Sequence, residues 1–142
     1  MMHRYGLYIC WVWACLMTLG SLYFSDVRHI EPCYLCWYQR IAIYPLVILL
    51  GIATWRQFFT IIPFVLPQVI LGFLLSVYQV LVQEVPSFRG IDLCGVGPSC
   101  TTKIDIGLGV ISIPMLALFS FLALSILLFW TWNSREAKTK EN

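Results

Sequence analysis

The chain has 142 residues, room for one domain, and a net charge of +2. Hydrophobic residues make up 60% of it and charged residues 11%, whereas soluble domains have about 45–50% and about 25%. With a mean hydropathy of +0.82, neither a soluble fold nor a disordered chain accommodates so much apolar surface, and the scattered charge excludes a nucleic-acid partner. The composition therefore predicts an integral membrane protein.

Charged residues divide the sequence into four long apolar stretches. A helix needs about 20 apolar residues to cross the hydrocarbon core of a bilayer, and the lack of alternating polar and apolar positions argues against a strand barrel. The predicted fold class is an all-α integral membrane protein, a four-transmembrane-helix bundle that forms one domain. The predicted helices are Tyr5–Phe24, Tyr34–Thr54, Phe58–Leu81 and Leu108–Trp132.

The connections between these helices predict the orientation of the chain. Trp55–Gln57 form a very short turn, so the second and third helices are antiparallel neighbours, and the two longer loops cover about Ser25–Cys33 and Val82–Gly107. Five basic residues lie on the side of the termini and three lie in the opposite loops. Because basic residues favour the cytoplasmic side, both termini and the polar tail Asn133–Asn142 are expected in the cytoplasm. The five are Arg4, Arg56, Arg135, Lys138 and Lys140.

Six cysteines are present, and the predicted topology separates them into two groups. Cys10 and Cys15 fall inside the first span, where buried cysteines behave as small hydrophobic residues. The other four fall in the two loops on the non-cytoplasmic side, where thiols can be oxidised. They form a Cys-x2-Cys pair and a Cys-x5-Cys pair, namely Cys33 with Cys36 and Cys94 with Cys100.

The first pair stands where a helix is expected to begin. Pro32 is suited to the first helical position, which places both sulfurs in the first turns, where the helix dipole favours a thiolate. Arg40 follows Cys36 by four residues and shares its helix face. A guanidinium just inside a bilayer needs a polar or anionic partner, either the Cys36 thiolate or an oxygen-bearing lipid-soluble ligand, unless it only extends to the headgroups.

The cysteines also admit structural and metal-binding roles. A Cys-x2-Cys bridge closes too small a loop to stabilise the fold strongly, whereas Cys94 and Cys100 alone would favour a structural disulfide. Zinc is disfavoured because the spacings differ and no histidine is near. Trp37 stands where covalent haem attachment needs a histidine. A pair on a rigid helix beside a pair in a mobile loop instead favours disulfide exchange from one to the other.

The run Cys33–Arg40 resembles the Cys-x-Leu-Cys-x-Tyr-x-Arg segment of the DsbB family of membrane thiol-disulfide oxidoreductases, and the four-span order resembles the family along nearly the whole chain. The close second pair followed by Gly109–Pro114 is similar to the shorter disulfide formation protein C branch. The chain departs from the family near the outer end of the third helix. Family members often have a histidine there, whereas this chain has Tyr78, Gln79 and Gln83.

The resemblance implies a redox relay in the bacterial inner membrane, with the four loop cysteines as catalytic residues. Cys94 would form a mixed disulfide with a thioredoxin-fold, DsbA-like thiol oxidase, and Cys100 would then attack Cys33. Cys36 would be released as a thiolate facing a quinone, ubiquinone or menaquinone, with Arg40 near the quinone oxygen. Tyr38 is a weaker candidate for quinone contact. Gln79 and Gln83 are also weaker candidates, and packing or interfacial roles are the simpler interpretation for all three. No metal is expected.

Three other functions remain as alternatives. A vitamin K epoxide reductase-like relay also uses four helices and two cysteine pairs, but there the Cys-x2-Cys lies near the fourth span. A small multidrug transporter should have an acidic residue in mid-span, and none of the four stretches contains one. A non-enzymatic membrane protein would use its disulfides only to brace its loops, and these disulfides should resist exchange with dithiol proteins.

Overall fold

The computed structural model describes residues 2–27, 29, 34–85, 87 and 113–141. Four α-helices account for most of them, and the described residues contain no strand. Each helix is long and apolar enough to cross a membrane, which confirms the predicted fold class. The helices are α1 (Met2–Leu22), α2 (Tyr34–Arg56), α3 (Ile62–Glu84) and α4 (Ile113–Glu141).

The helices form a closed ring in which α1 packs against α2 and α4, and α3 packs against the same two helices. Interhelical contacts give the directions. The Thr54 hydroxyl near the end of α2 lies 3.2 Å from the Leu7 carbonyl oxygen near the start of α1, while Arg40 near the start of α2 reaches Ser21 near the end of α1. Neighbours α1 and α2 are therefore antiparallel. We call the end of the bundle near Leu7 and Thr54 the terminal end, and the end near Ser21 and Arg40 the loop end.

Small residues let the helices approach closely. A methyl group on Gly72 of α3 would collide with the ring of Phe121 on α4, and one on Gly6 of α1 would lie 2.7 Å from the Thr131 hydroxyl on α4. Phe121 is itself fully buried in the main core. Since lipid tails are as apolar as leucine, tight packing at such positions holds membrane helices together.

The turn between α2 and α3 is built by a left-handed residue that is not glycine. Gln57 directly follows α2 with φ 53°, and the backbone N–H of Phe58 closes the turn on the Ala53 carbonyl at 2.9 Å. The Gln57 side-chain amide donates to the Thr54 carbonyl at 2.7 Å, so the side chain caps the helix end that its own backbone terminates. A 3₁₀ turn, Phe59–Ile61, then leads into α3.

The second helix passes through its proline as predicted, whereas the third and fourth helices continue beyond their predicted ends. The helix α2 continues through Pro45, and Gln68 of α3 donates to the neighbouring Ala42 carbonyl at 2.9 Å, in the region where proline withholds a backbone donor. The helix α3 extends to Glu84, so its last three residues, expected in the second loop, are helical. The helix α4 continues through the predicted tail to Glu141. Of the region between α3 and α4, residues 88–112 lie outside the described part of the chain.

Candidate functional site

Cys36 lies in the first described turn of α2, at the loop end of the bundle. Its side chain is partly buried against a small cluster whose centre is Leu35 and Val82, with Tyr78 of α3 at the edge. The first turn of a helix presents unpaired N–H groups and the positive end of the dipole, which stabilise a thiolate. This position suits a reactive sulfur better than a structural one.

A chain of two hydrogen bonds leads from the interior of the bundle to this sulfur. The Gln39 amide nitrogen donates to the Gln79 carbonyl oxygen at 2.8 Å, and the Gln79 amide nitrogen donates to Cys36 Sγ at 3.2 Å. Gln39 is 6% exposed and Gln79 2%. Because both amides are shielded from water, their partners must come from the protein.

The sequence of α3 explains why Gln79 faces inward. Gly72, Ser76, Gln79 and Gln83 recur every three or four residues and are all buried, so they form one face of the helix. The hydroxyl of Ser76 is satisfied within α3 by the Gly72 carbonyl at 2.9 Å. Along this inward face of α3, Gly72 leaves room for an aromatic ring, and Gln79 and Gln83 present their amides at the loop end.

Arg40 makes its described hydrogen bonds to α1. Its Nε donates to the Ser21 hydroxyl at 2.9 Å and its Nη2 donates to the Ser21 carbonyl at 2.8 Å. Beyond Ser21 the backbone leaves α-helical geometry in the π-helical turn Tyr23–Val27. In the described part of the chain, the polar partner of Arg40 is therefore Ser21. These two bonds use two of the five N–H donors of a guanidinium.

Other predicted site residues are only partly accounted for. Tyr38 is 51% exposed on the outer surface of α2, so it is oriented toward the surroundings of the bundle rather than toward Gln79. Cys33, Cys94 and Cys100 lie outside the described residues, as does the predicted helix start at Pro32. Cys10 is fully buried in the main core and Cys15 is partly buried in the same helix. Among the described residues no group of His, Cys, Asp and Glu could hold a metal ion.

The sequence interpretation missed two residues at this site and underrated a third. Gln39 and Ser21 were not singled out, and Gln79 was interpreted as packing or interfacial, although it contacts Cys36. A signal was present for the glutamines, because an amide inside an apolar span is costly unless it has a partner. Ser21 gave no such signal, since a serine hydroxyl in a membrane helix can bond to the carbonyl of its own preceding turn.

The bundle and its site define a small multi-pass membrane protein with a cysteine held by polar contacts at one end. Its sequence matches the family model described as Disulfide bond formation protein DsbB over residues 3–131. The chain belongs to this family. It is thus a multi-pass inner-membrane protein of disulfide bond formation, and the expected resemblance is confirmed.

Relatives match over almost the whole chain. A "Probable disulfide formation protein" of Coxiella burnetii (strain Dugway 5J108-111) is 45% identical over 139 residues, which cover 97% of this chain and 95% of the relative. "Disulfide bond formation protein C" of Bacillus subtilis (strain 168) is 47% identical over 120 residues, or 84% and 87% of the two chains. A "Probable disulfide formation protein" of Chlamydia trachomatis serovar D is 41% identical over 134 residues, or 94% and 97%. No solved structure matches the chain.

Proposed function

We propose that this protein is a protein dithiol:quinone oxidoreductase that reoxidises a DsbA-like thiol oxidase outside the cytoplasm. The observation that carries the proposal is the placement of Cys36, in the first described turn of α2 with an amide N–H donated to its sulfur. Such a sulfur is a good leaving group, because it is stabilised as a thiolate when its disulfide is attacked. Family membership adds the context of disulfide formation in a membrane.

The relay transfers two electrons and two protons. A thiolate of the reduced partner attacks Cys94, the Cys94–Cys100 bond breaks, and Cys100 becomes a thiolate that attacks Cys33 and expels Cys36. The partner leaves as a disulfide when its second thiolate attacks the mixed disulfide and releases Cys94. Cys94 then attacks Cys100 to restore their bond and release Cys33. The Cys33–Cys36 dithiol delivers two electrons and two protons to the quinone and becomes a disulfide again.

The quinone is treated as a lipid-soluble substrate, and the residues around Cys36 fit one. The outer surface of α2 near the loop end is apolar and aromatic, with Trp37 53% and Ile41 61% exposed, so a quinone could approach from the lipid. Arg40 retains N–H donors beyond the two given to Ser21, and a quinone oxygen is a suitable acceptor. Tyr38, exposed on the same surface, is a second candidate contact.

The proposal places the loop end outside the cytoplasm. The basic-residue bias puts Arg4, Arg56 and Arg135 on the cytoplasmic side, and these residues belong to the terminal end of the bundle. Arg135 lies 5.5 Å from the centre of the Phe59 ring, beside the short α2–α3 turn. Thiol oxidation at Cys36 then occurs in a compartment where disulfides persist.

The test is a coupled reaction with purified components. Reduced thioredoxin-fold oxidase, the purified protein and a quinone are mixed, and quinone reduction is followed together with partner oxidation. Equal amounts of quinol and partner disulfide are expected with the native protein and with Cys15→Ala, and neither with Cys36→Ala. Partner oxidation without quinol would favour a different electron acceptor. Disulfides that resist the reduced partner altogether would support the structural alternative.

A further inference from the structure

We infer that Gln79 is a positioning residue for Cys36. Its side-chain amide, oriented by Gln39, aims an N–H donor at the sulfur and stabilises the thiolate form. The inference deepens the proposed function, because a thiolate at Cys36 is the species that would face the quinone. It assigns a task to the position near the loop end of α3, where this chain departs from the histidine of many family members.

The orientation of the Gln79 amide follows from its other hydrogen bond. A primary amide has a donor end and an acceptor end, and a rotation by 180° exchanges them. The Gln39 amide nitrogen donates to Gln79 Oε1 at 2.8 Å, which holds the oxygen toward Gln39 and leaves the nitrogen facing Cys36 Sγ at 3.2 Å. With the Gln39 amide in this orientation, Cys36 receives a donor rather than an acceptor.

This arrangement differs from the one that packing alone would favour. Two buried amides can satisfy each other with two reciprocal hydrogen bonds. Here a single bond joins Gln39 to Gln79, and an N–H of Gln79 is directed to sulfur, a weak acceptor as a thiol and a strong one as a thiolate. The hydrogen bond from Gln79 to Cys36 is therefore strongest when Cys36 is ionised.

The surroundings strengthen the effect of one donor. Gln79 is 2% exposed and Leu35, which packs beside Cys36, is fully buried, so the hydrogen bond acts where water screens it little. The first turn of α2 adds the positive end of its dipole. Among the described residues, the ionisable side chains on the elements that pack at this end are Tyr34, Tyr38 and Arg40 on α2, Tyr78 and Glu84 on α3, and Tyr23, Asp26 and His29 after α1.

The experiment measures the ionisation of Cys36 directly. Full-length protein that carries Cys33→Ala, so that Cys36 cannot be bridged to its neighbour, is alkylated with iodoacetamide across a pH series. Modification of the Cys36 peptide is quantified by mass spectrometry. Because only the thiolate reacts, the rate as a function of pH reports its fraction. The test variants are Gln79→Met, of similar shape without polar atoms, and Gln79→Glu, which places an acceptor before the sulfur.

We expect Gln79→Met to displace the pH profile of alkylation upward by about one unit, as the loss of a hydrogen bond to a charged group implies. The rate should fall about tenfold at pH values below the midpoint that the profile has with Gln79 present. Gln79→Glu should displace the profile further, because a carboxylate opposes the thiolate. Gln39→Met should give a smaller displacement, since the Gln79 amide then loses only the donor that holds its oxygen toward Gln39. Gln39→Met also keeps the inference testable if Gln79→Met fails to fold.

The matched control is Gln68→Met, which removes another amide bond from α3 to α2. In that bond, Gln68 donates to the Ala42 carbonyl rather than to sulfur, so the pH profile should stay unchanged. An unchanged profile in folded Gln79→Met, or an equal displacement in Gln68→Met, would overturn the inference. Quinone turnover of the Gln79 variants with Cys33 restored is measured separately. If the Gln79 variants show a displaced pH profile but the native protein reduces no quinone, the proposed function is refuted and the assignment of Gln79 stands.

Discussion

Arg40 carries a permanent charge near the loop end, and its two described hydrogen bonds join α2 to α1. The sequence suggested Cys36 or a ligand as its partner, whereas the described contacts are to the Ser21 hydroxyl and carbonyl. A guanidinium can serve both, since its five N–H donors point in different directions within one plane. Arg40 can therefore tie α1 to α2 and also meet a quinone oxygen.

The proposed quinone contact of Arg40 and its contact with Ser21 predict different kinetic effects. Arg40→Ala should raise the quinone concentration needed for half-maximal turnover by roughly one to two decades, because a charge-assisted contact is lost. Exchange of the Cys94–Cys100 pair with partner should stay nearly intact. Steady-state kinetics at varied quinone concentration, with single-turnover partner oxidation, measures both quantities.

Ser21→Ala is the control for the contact between Arg40 and α1. It removes the hydroxyl acceptor but keeps the carbonyl and the charge, so the quinone dependence should stay close to that of the native protein. If folded Arg40→Ala shows the native quinone dependence, Arg40 serves only to hold α1 or to reach the headgroups.

At the scale of elements, close helix contacts depend on single glycines. Gly72 lies directly against the Phe121 ring, so α3 and α4 approach over a surface that a methyl group would occupy. Gly20 on α1 has nothing within 4 Å of the position of a Cβ atom. The two glycines are both helical, yet only one is required by packing.

Alanine at these two glycines should therefore have different effects on stability. Gly72→Ala is expected to lower the free energy of unfolding by about 1–3 kcal/mol through overpacking, whereas Gly20→Ala should leave it unchanged or raise it by about 0.5–1 kcal/mol, because alanine is the better helix former. Unfolding of the two variants in mixed detergent micelles, followed by circular dichroism, compares them. Equal stability of the two variants would show that α3 and α4 can separate at Gly72 without cost.

The whole molecule has two chemically different ends, and this asymmetry predicts its orientation. Arg56 and Lys140 are expected to face the cytoplasm, and Cys33 and Cys94 the opposite side. Single-cysteine variants in intact and broken cells, treated with a membrane-impermeant thiol reagent, test this. If Cys94 is labelled only after the inner membrane is broken, the orientation is the opposite of the one predicted.

The direction of electron flow is a second property of the whole molecule. Cys100→Ala should leave the partner attached to Cys94, because the thiol that continues the relay is missing. Removal of Cys33 or Cys36 should allow one partner oxidation without turnover. Non-reducing electrophoresis for the adduct, together with single-turnover and steady-state oxidation, distinguishes these outcomes.

Alanine at Cys10 or Cys15 provides the control for the relay. Such variants should keep turnover and lose about 1 kcal/mol of stability, since Cys10 is packed in the main core. If Cys100→Ala forms no adduct while a variant of the helix pair forms one through its remaining helix cysteine, electrons flow in the opposite direction.

The sequence by itself determined the number of helices, the membrane class and the family. Hydropathy over about 20 residues is a local property, and so is a motif such as Cys33–Arg40. Helix ends were predicted less well, because the backbone hydrogen bonds of a helix continue past the apolar stretch. Glu84, and the polar residues from Asn133 to Glu141, are therefore helical although they carry no apolar signal.

Only the tertiary structure decided which side chains meet at the loop end. That Gln79 reaches Cys36 depends on the rotation and register of α3 against α2, and that Arg40 reaches Ser21 depends on how α1 lies beside both. These quantities are set by packing across the ring, including the glycine contacts of α4, and a periodic pattern within one helix does not contain them. The glutamines therefore resembled packing residues in the sequence, and the role proposed for Gln79 rests on its contacts with Gln39 and with the sulfur of Cys36.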